Sequence, residues 1–339
     1  MASDAGADKA RRKGGAATIY DVAELAGVSP STVSRALGKP GRISAPTEAR
    51  IRAAAEQLSF RINPMARALH TGRTSTLALV VADITNPVVF DIVRGAESAA
   101  SAGGYTLVIA ESQESSDAEA EAVQRLLPSV DGIILATSRL ESDVIRELAA
   151  QKPVVLINRA VDGVAAILPD VEEGVAALLT HLHDLGHRSI AFLSGPATSW
   201  VSAQRWEHLL EETERRGMGL VEIGPNAPTI DGGREAFRRV RAAKVTAVVA
   251  FNDLIAIGLM QAMSSAGVRV PGQMSVAGFD DIFGSELIVP ALTTVRSQLG
   301  LAGRRASSYL VSRLEDQDAT SEEELLATEL IVRGSTGPA

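Results

Sequence analysis

The sequence predicts two parts, a small all-α head and a larger α/β core built from doubly wound parallel sheets. Apolar residues recur at helical spacing from residue 18 to residue 58, and short apolar strands alternate with amphipathic helices from residue 76 onward. The balance of basic and acidic residues changes near the same place. The first 73 residues carry 12 Lys and Arg against 6 Asp and Glu, whereas the remainder of the 339 residues carries 21 against 35.

The head begins with two short helices joined at a glycine, within residues 18–37. Thr18 is expected to supply a hydroxyl N-cap for the first helix, and Val22 and Leu25 are expected to be buried at helical spacing. Gly27 then provides the left-handed residue that ends this helix. The pattern therefore predicts a helical hairpin rather than one long helix.

The second helix carries polar residues at its front. Ser29 is expected to cap it, with Pro30 at the first helical position, where a missing N–H costs nothing. Val33 and Leu37 point to the core, so the outward side chains are those of Ser31, Thr32, Ser34 and Arg35. Short polar groups and one arginine on an exposed helix suit the base edges and phosphates of a DNA major groove. The alternative interpretation is a helical hairpin whose polar face is only solvated.

A third helix and a marginal fourth helix follow. Residues 44–58 form the third helix, with a buried stripe of Ile51, Ala54, Ala55 and Leu58 that Phe60 closes. Asn63 can cap a helix of about two turns at residues 64–71, which is too short to be stable alone. We therefore expect it to form against a partner, and Leu69 suits a wedge between base steps in a DNA minor groove.

The core is predicted to be a parallel, right-handed, doubly wound arrangement. Strands are predicted at residues 77–82, 106–110, 132–136, 154–157, 190–194, 246–250 and 275–279, with a last strand at residues 326–332. The length of this region favours two lobes rather than one long sheet.

Polar side chains follow most of these strands directly. Ligands of open parallel sheets bind beyond the carboxyl ends of the strands, where this sequence places Asn86, Arg159, Trp200, Arg205, Asn252 and Asp280. Carboxylates, amides and arginines suit a polyhydroxylated ring, because each hydroxyl both donates and accepts, and an indole covers a sugar's apolar face. The alternative is that strand-end residues cap the following helices, which is favoured for Asp253 and Asp281.

Several classes of protein are disfavoured by what the sequence lacks. Zero cysteines exclude disulfides, thiolate zinc sites and cysteine nucleophiles. No nucleophile elbow, P-loop or dinucleotide fingerprint appears, so neither an enzyme nor a cofactor is expected.

No apolar run approaches membrane-spanning length and no signal peptide is recognisable, so a cytoplasmic location is expected. A metal site at His181, His183 and His187 is disfavoured against a structural role, because Gly186 is expected to end their helix.

These features together resemble the LacI/GalR family of bacterial transcriptional repressors. The resemblance is carried by the head motif TIYDVAELAGVSPSTVSRAL and by the hinge segment NPMARAL, and it covers nearly all of residues 18–336. It implies a core like that of periplasmic sugar-binding proteins, with chain crossings near Pro169, Arg296 and Ala327 that serve as hinges.

The resemblance also assigns roles to individual residues. Pro30 and Ser31 match base-reading positions, Leu69 matches the intercalating leucine, and Ala66 and Ala68 flank it in the groove. The predicted DNA-binding residues are Thr18, Tyr20, Ser29, Pro30, Ser31, Thr32, Ser34, Arg35, Asn63, Ala66, Ala68 and Leu69. The predicted effector-binding residues are Asn86, Arg159, Trp200, Arg205, Asn252 and Asp280.

The predicted domain organisation follows from the same pattern. A disordered tail (residues 1–17) precedes a helix-turn-helix domain (residues 18–62), and a hinge helix with its linker (residues 63–75) leads into the core. The N-terminal lobe comprises residues 76–168 and 297–326, and the C-terminal lobe comprises residues 169–296 and 327–339. The basic head, rather than the acidic core, is expected to dock on DNA.

Two departures from the family pattern bear on the ligand. Val88 and Val89 stand where ribose-binding relatives carry aromatic residues, and Asn158 replaces the more usual aspartate before Arg159. Both changes weaken the case for one named sugar. They leave open a nucleobase or nucleoside stacked on Trp200.

The expected function is that of a transcriptional repressor that binds DNA sequence-specifically and is controlled by a small-molecule effector, with a sugar favoured. A homodimer is expected to bind a pseudopalindromic double-stranded operator, and to be nucleoid-associated when bound, with no membrane partner. One alternative is a corepressed regulator that binds a purine, a nucleoside or a protein partner. Another, outside this class, is a cytoplasmic sugar-binding protein without a DNA function.

Overall fold

The computed structural model describes residues 17–38, 43–60, 72–316 and 323–339. The chain divides into two compact units, residues 1–74 and residues 75–339. The predicted hinge helix at residues 64–71 lies outside the described residues, together with Asn63, Ala66, Ala68 and Leu69.

The described part of the first unit holds three helices, α1 (Ile19–Ala26), α2 (Pro30–Gly38) and α3 (Ala45–Gln57). Thr18 caps α1, and Gly27 ends it in the left-handed conformation with a φ of 64°. A small hydrophobic core joins the three helices through Val22, Ala23, Ala26, Val33, Ala36, Ile51, Ala54 and Ala55.

The prediction that Leu25 is buried is wrong, because its side chain is 46% exposed. The buried face of α1 is formed by Val22, Ala23 and Ala26, which follow i, i+1, i+4 spacing rather than i, i+3. Two small alanines on this face suit close packing of α1 against its neighbours. Leu25 lies on the flank of that stripe.

The second unit alternates strands and helices. Its described strands are β1 (Thr76–Val81), β2 (Thr106–Glu111), β3 (Gly132–Ala136), β4 (Val154–Ile157), β5 (Ala165–Pro169), β6 (Ser189–Leu193), β7 (Gly219–Glu222), β8 (Ala247–Ala250), β9 (Ser275–Asp280), β10 (Thr293–Arg296), β11 (Glu323–Leu326) and β12 (Glu329–Ile331). Its described helices are α4 (Val88–Ala102), α5 (Ser116–Leu126), α6 (Ser142–Gln151), α7 (Val171–Asp184), α8 (Trp200–Arg216), α9 (Ile230–Ala242), α10 (Asp253–Ser265), α11 (Gly284–Leu287) and α12 (Leu299–Glu315). None of the described helices is long and apolar enough to cross a membrane.

The strands form two six-stranded sheets. The first has the order β11-β5-β4-β3-β1-β2 with all pairs parallel, and with α4, α5, α6 and α12 it is called lobe 1. The second has the order β12-β10-β9-β8-β6-β7, in which only β12 runs antiparallel, and with α7 to α11 it is called lobe 2. Central strands such as β3 and β8 are buried along their whole length, as expected when helices cover both faces of a parallel sheet.

Three connections join the two lobes. The chain passes from lobe 1 to lobe 2 after β5, returns between β10 and α12, and crosses again between β11 and β12. Each lobe is therefore assembled from segments that are distant in sequence. The arrangement places the carboxyl ends of the parallel strands of both lobes around one cleft.

The structure also corrects the predicted strands. β5, β7 and β10 lie in segments that carried no strand prediction, and residues 326–332 are not one strand, because β11 and β12 belong to different sheets. β7 is an exposed edge strand, and the buried part of β10 begins with two threonines. Neither carries the continuous apolar run on which the predictions relied.

Candidate functional site

The exposed face of α2 is the candidate nucleic-acid interface of the first unit. Ser29 caps the helix by accepting a hydrogen bond from the Thr32 amide at 3.3 Å, and its hydroxyl lies 2.9 Å from that of Ser31. Ser34 and Arg35 are exposed, whereas Val33 between them and the cap is fully buried. The buried positions fix α2 against the other helices, so its polar face is presented on a rigid element.

Two more residues of the predicted DNA-binding set lie at the start of α1. The Thr18 hydroxyl accepts from the Asp21 amide at 3.4 Å, and the Thr18 amide donates to the Asp21 carboxylate at 2.7 Å, which completes a capping box. The Tyr20 side chain is 70% exposed. Thr18 therefore fixes the start of α1, and Tyr20 presents its phenol to solvent.

The second candidate site is a cleft between the two lobes, with about 620 Å³ of empty space when its open mouth is included. Lobe 1 contributes residues at or after the ends of β1, β2, β3 and β4, and lobe 2 contributes residues at or after the ends of β6, β7, β8 and β9. The polar side chains on its walls are those of Asp83, Asn86, Glu114, Thr137, Arg139, Asn158, Ser199, Arg205, Asn252 and Asp280. Aliphatic side chains and the ring of Phe251 fill the spaces between them.

The structure brings four of the six predicted effector-binding residues onto these walls, namely Asn86, Arg205, Asn252 and Asp280. Arg159 and Trp200 are not among the lining residues. The Arg159 guanidinium donates to the Leu140 carbonyl at 3.1 Å and to the Ser142 hydroxyl at 3.2 Å. Trp200 is half-buried and packs against the hydrophobic cores of both lobes.

Arg205 and Asp280 form a buried ion pair on the lobe 2 side of the cleft. The guanidinium Nη2 lies 3.2 Å from Oδ1 of Asp280, and Nη1 donates to the Phe251 carbonyl. The guanidinium also stacks over the Phe279 ring, 4.1 Å from its centroid, which adds a cation–π contact. Burial raises the pKa of the Asp280 carboxyl, and the charge of Arg205 opposes that rise. The pairing with Arg205 therefore favours the ionised form of the buried carboxyl.

Asn252 has a structural role as well as a place on the wall. Its side-chain oxygen caps α10 by accepting from the Ile255 amide at 2.9 Å, and its amide group donates to the Pro228 carbonyl at 3.1 Å. The expectation that Asp253 caps this helix is therefore wrong, because Asn252 holds the cap position. Asp253 follows it as the first residue of α10.

Asp253 is instead a fully buried acceptor behind the cleft. It takes hydrogen bonds from the Ile282 amide at 3.1 Å, the Ser285 hydroxyl at 2.6 Å and the Thr294 hydroxyl at 2.7 Å. Burial, together with the charge of Asp280, raises the pKa of its carboxyl to about 7, against the effect of these hydrogen bonds. Asp253 thus ties α10 to the segment that follows β9 and to β10.

Asp281 was also expected to cap a helix, and that expectation is wrong. Its carboxylate lies 2.7 Å from the Arg296 Nε and 2.7 Å from the Arg333 Nη1. The helix that follows, α11, has Phe283 at its cap position. Asp281 therefore holds β10 and the C-terminal segment together.

Four residues on the cleft walls have left-handed backbone conformations although none is glycine. These are Glu114, Thr137, Asn158 and Asp280, with φ values of 60°, 58°, 58° and 106°. Each lies at or just beyond the carboxyl end of a strand. Such conformations are costly for residues with a side chain and concentrate at ligand-binding sites, so they support a functional role for this cleft.

Sequence reasoning missed the pair formed by Arg139 and Glu114 on the lobe 1 wall. The Arg139 Nε and Nη2 lie 2.8 and 2.6 Å from the Glu114 Oε2, and Nη1 donates to the Thr137 carbonyl at 2.9 Å. Arg139 follows β3 by three residues, so the rule that singled out residues after the other strands applies to it equally.

The histidines have structural partners. The two ring nitrogens of His187 contact the Thr246 hydroxyl at 2.8 Å and the Gly337 carbonyl at 3.1 Å, and His181 lies 2.9 Å from the Thr336 hydroxyl. These contacts hold the C-terminal segment against lobe 2. Within the described part of the chain, no group of three or more His, Asp or Glu side chains is placed to hold a metal ion.

Comparisons with known proteins match both parts of the chain. Residues 18–63 match the family of bacterial regulatory proteins called lacI, and residues 179–336 match the periplasmic binding protein-like domain. The chain is 30% identical over 337 residues to the HTH-type transcriptional repressor CytR of Escherichia coli strain K12, across 97% of this chain and 98% of that protein.

Solved structures of similar proteins extend the comparison. A Lac repressor dimer bound to operator and the anti-inducer ONPF is 26% identical, with a TM-score of 0.86 over 95% of this chain and 100% of that chain. A LacI family regulator from Enterococcus faecium with bound ribose is 27% identical, with a TM-score of 0.71 over 78% of this chain and 99% of that one. The curated relative is a repressor and not an enzyme, and the chain belongs to the LacI family of bacterial DNA-binding transcriptional regulators.

Proposed function

We propose that this protein represses transcription from a pseudopalindromic operator, and that a small sugar bound between the two lobes controls its affinity for DNA. The observation that carries this proposal is that one chain combines a rigid helix pair, with an exposed polar α2, and a polar cleft at the strand ends of two lobes. A sugar-binding protein without a DNA function would have no use for α2 and its cap.

The DNA-bound form is a homodimer. Two-fold symmetry places one α2 in each half of a pseudopalindrome, and the Lac repressor relative is a dimer on its operator. The predicted hinge helix folds in the minor groove between the half-sites and inserts Leu69 between base steps. In this state the protein is nucleoid-associated.

The effector is a sugar held by Asn86, Arg205, Asn252 and Asp280. Their amide, guanidinium and carboxylate groups offer both donors and acceptors to hydroxyl groups, and the Enterococcus faecium regulator carries ribose. A nucleoside is the second candidate effector, and it was expected to stack on Trp200. Because Trp200 lies off the cleft walls, Phe251 is the aromatic residue available there among the described lining residues.

Effector control acts through the relative position of the two lobes. A ligand that contacts both lobes binds the closed arrangement of the lobes more tightly than the open one, and so favours closure. Closure in turn changes how readily the hinge helix folds on DNA. A coupling of about 1 to 3 kcal/mol is enough for a useful switch.

A ligand screen followed by DNA binding tests this proposal. Thermal shifts of the full chain are measured with pentoses, hexoses, disaccharides, nucleosides and purines, because a ligand that binds the native state raises its stability by mass action. Operator affinity is then measured with each hit. A sugar that shifts both the melting temperature and operator affinity supports the proposal, whereas a response to purines or nucleosides alone contradicts the sugar assignment.

A further inference from the structure

The cleft holds two arginine–carboxylate pairs, one on each wall. Arg205 and Asp280 stand on lobe 2, and Arg139 and Glu114 stand on lobe 1. Both arginines are nearly buried, with side-chain exposures of 5% and 4%. Buried ion pairs carry a desolvation cost, so a second pair at the same cleft calls for a physical explanation.

The Arg139–Glu114 pair leaves hydrogen-bonding groups unused. Both contacts from Arg139 go to Oε2 of Glu114, and in the described part of the chain Oε1 has no partner. The Glu114 side chain is 27% exposed, so Oε1 is open to a ligand in the cleft. A guanidinium has five N–H groups, and the described contacts of Arg139 occupy three of them.

The backbone next to both side chains of this pair adopts left-handed conformations. Gln113 and Glu114 are consecutive left-handed residues, with φ values of 53° and 60°, and Thr137 before Arg139 has a φ of 58°. The Arg139 amide is anchored by the buried Glu119 carboxylate at 2.7 Å. Left-handed backbone at Glu114 itself and two residues before Arg139 indicates that the position of the two side chains matters to the function of the cleft.

Arg139 lies on the lobe 1 wall of the cleft, where a ligand could be contacted by an arginine. The family pattern assigns Arg159 to the ligand, but its guanidinium is held by the Leu140 carbonyl and the Ser142 hydroxyl and does not line the cleft. Arg139 does line it, from the same lobe. Arg139 is therefore the lobe 1 arginine that lines the cleft.

We propose that Arg139 and Glu114 form a second ligand-recognition pair, and that the ligand is a saccharide with a vicinal diol at each of two edges. At each edge the carboxylate accepts a hydrogen bond from one hydroxyl while the guanidinium donates to its neighbour. This inference rests on the proposed sugar effector and adds the residues of lobe 1 that select it. Because the two pairs belong to different lobes, a ligand that engages both holds the lobes together.

Deoxy sugars test the pair. Binding of D-ribose, D-xylose, D-glucose, D-galactose and cellobiose to the full chain is measured by calorimetry, and monodeoxy analogues of the tightest ligand follow. Glu114→Gln keeps the shape of the side chain and removes its charge. The matched control is Glu121→Gln, which removes an exposed partner of Arg125 on α5, outside the cleft.

We expect one monodeoxy analogue to bind the unmodified protein about tenfold more weakly than its parent, because a hydrogen bond to a charged group is lost. In Glu114→Gln that ratio falls toward one, and in Glu121→Gln it stays near tenfold. Arg139→Lys, which keeps the charge but loses the planar fork, is expected to reduce the ratio as well.

A purely structural pair gives a different result. If Arg139 and Glu114 only hold their loops, Glu114→Gln weakens the parent sugar and all analogues by one common factor, and equal ratios overturn the inference while the sugar effector stands. Unchanged affinity for the parent sugar in Glu114→Gln overturns it too. If none of the saccharides binds the unmodified protein, the sugar assignment itself fails and this inference fails with it.

Discussion

The guanidinium of Arg205 lies 3.2 Å from the Asp280 carboxylate and 4.1 Å from the centroid of the Phe279 ring, with both charged groups nearly buried. Removing one member of such a pair leaves the other charge unpaired in an apolar setting. The same two side chains line the cleft. Arg205 and Asp280 therefore stabilise lobe 2 and present hydrogen-bonding groups to a ligand at once.

Replacing Arg205 is expected to separate ligand response from DNA binding. Arg205→Ala should abolish the effect of the ligand on operator affinity while operator binding without ligand persists, because α2 belongs to the other unit. The alanine variant also leaves Asp280 unpaired and should lose about 3 kcal/mol of stability. Arg205→Lys keeps a charge next to Asp280, so it serves as the better folded companion. A mobility-shift titration in which the ligand still acts on either variant would remove Arg205 from the site.

Arg35 on α2 is expected to contribute to operator affinity without contributing to stability. Its side chain is exposed, so Arg35→Ala should leave the melting temperature nearly unchanged. Operator affinity should fall by about 1 to 3 kcal/mol if Arg35 reads a base, or fall with a shallower salt dependence if it contacts a phosphate. The control is Arg125→Ala, an exposed arginine on α5. Equal operator affinities of the two variants would contradict the proposed role of α2.

A substitution at Leu69 tests the hinge helix, which is predicted from the sequence and lies outside the described residues. Leu69→Ala removes the apolar wedge and should weaken operator binding, because opening the central minor groove is no longer compensated by the inserted side chain. Ligand affinity should stay the same, since the cleft lies wholly between the two lobes. Unchanged operator affinity in a mobility-shift titration would exclude the wedge.

The head was largely predictable from its sequence because its determinants are local. A capping threonine, a left-handed glycine and a proline at the first position of α2 each act within a few residues. Leu25 was misjudged because burial on a short helix depends on where α2 and α3 pack. The apolar strands of the core were predicted for the same local reason, whereas β7 and β10 owe their place to pairing with β6 and β9, which their own residue types do not indicate.

The candidate site was predictable where a polar residue directly follows a recognisable strand. Asn252 and Asp280 meet that condition, Asn86 lies in the loop that follows β1, and all three line the cleft. The positions of Arg159 and Trp200 could not be read in this way, because the Arg159 side chain turns to the Leu140 carbonyl and Trp200 packs against the hydrophobic cores of both lobes. The Arg139–Glu114 pair depends on two backbone segments that adopt left-handed conformations, a feature that the residue types of Glu114 and Thr137 do not indicate.

The contact between α4 and α12 makes Gly95 a sensitive position. A Cβ added to Gly95 would lie 1.9 Å from the Gly300 carbonyl oxygen, which is backbone and has no rotamer to change. Gly95→Ala should therefore push the two helices apart and lower stability by about 1 to 3 kcal/mol. Gly300→Ala is the matched control on the same interface, because its nearest neighbour would be 3.6 Å away. Urea denaturation compares the two, and equal losses would mean that the crossing is looser than the structure indicates.

The buried Asp253 carboxyl is expected to make stability depend on pH. Its pKa in the folded protein is raised to about 7, mainly by burial, so between about pH 4 and pH 7 the native state holds a proton that the unfolded state has released. The free energy of unfolding therefore falls as the pH rises from about 4 to about 7, and the contribution of the Asp253 carboxyl is smallest above pH 7. Asp253→Asn keeps an acceptor for the Ile282 amide and the Ser285 hydroxyl but has no proton to lose.

Melting temperatures of the unmodified protein and of Asp253→Asn, measured from pH 4 to pH 8, report this contribution, because titrating groups that are not coupled to Asp253 affect both proteins alike. The variant should gain stability relative to the unmodified protein as the pH rises, with the gain levelling off above pH 7. Asp231→Asn serves as the control, since Asp231 is an exposed partner of Arg234 on α9, and the difference between it and the unmodified protein should stay constant from pH 5 to pH 8. A difference between Asp253→Asn and the unmodified protein that does not change with pH would mean that Asp253 is already ionised in the native state at pH 5, with its charge held by the donors from Ile282, Ser285 and Thr294.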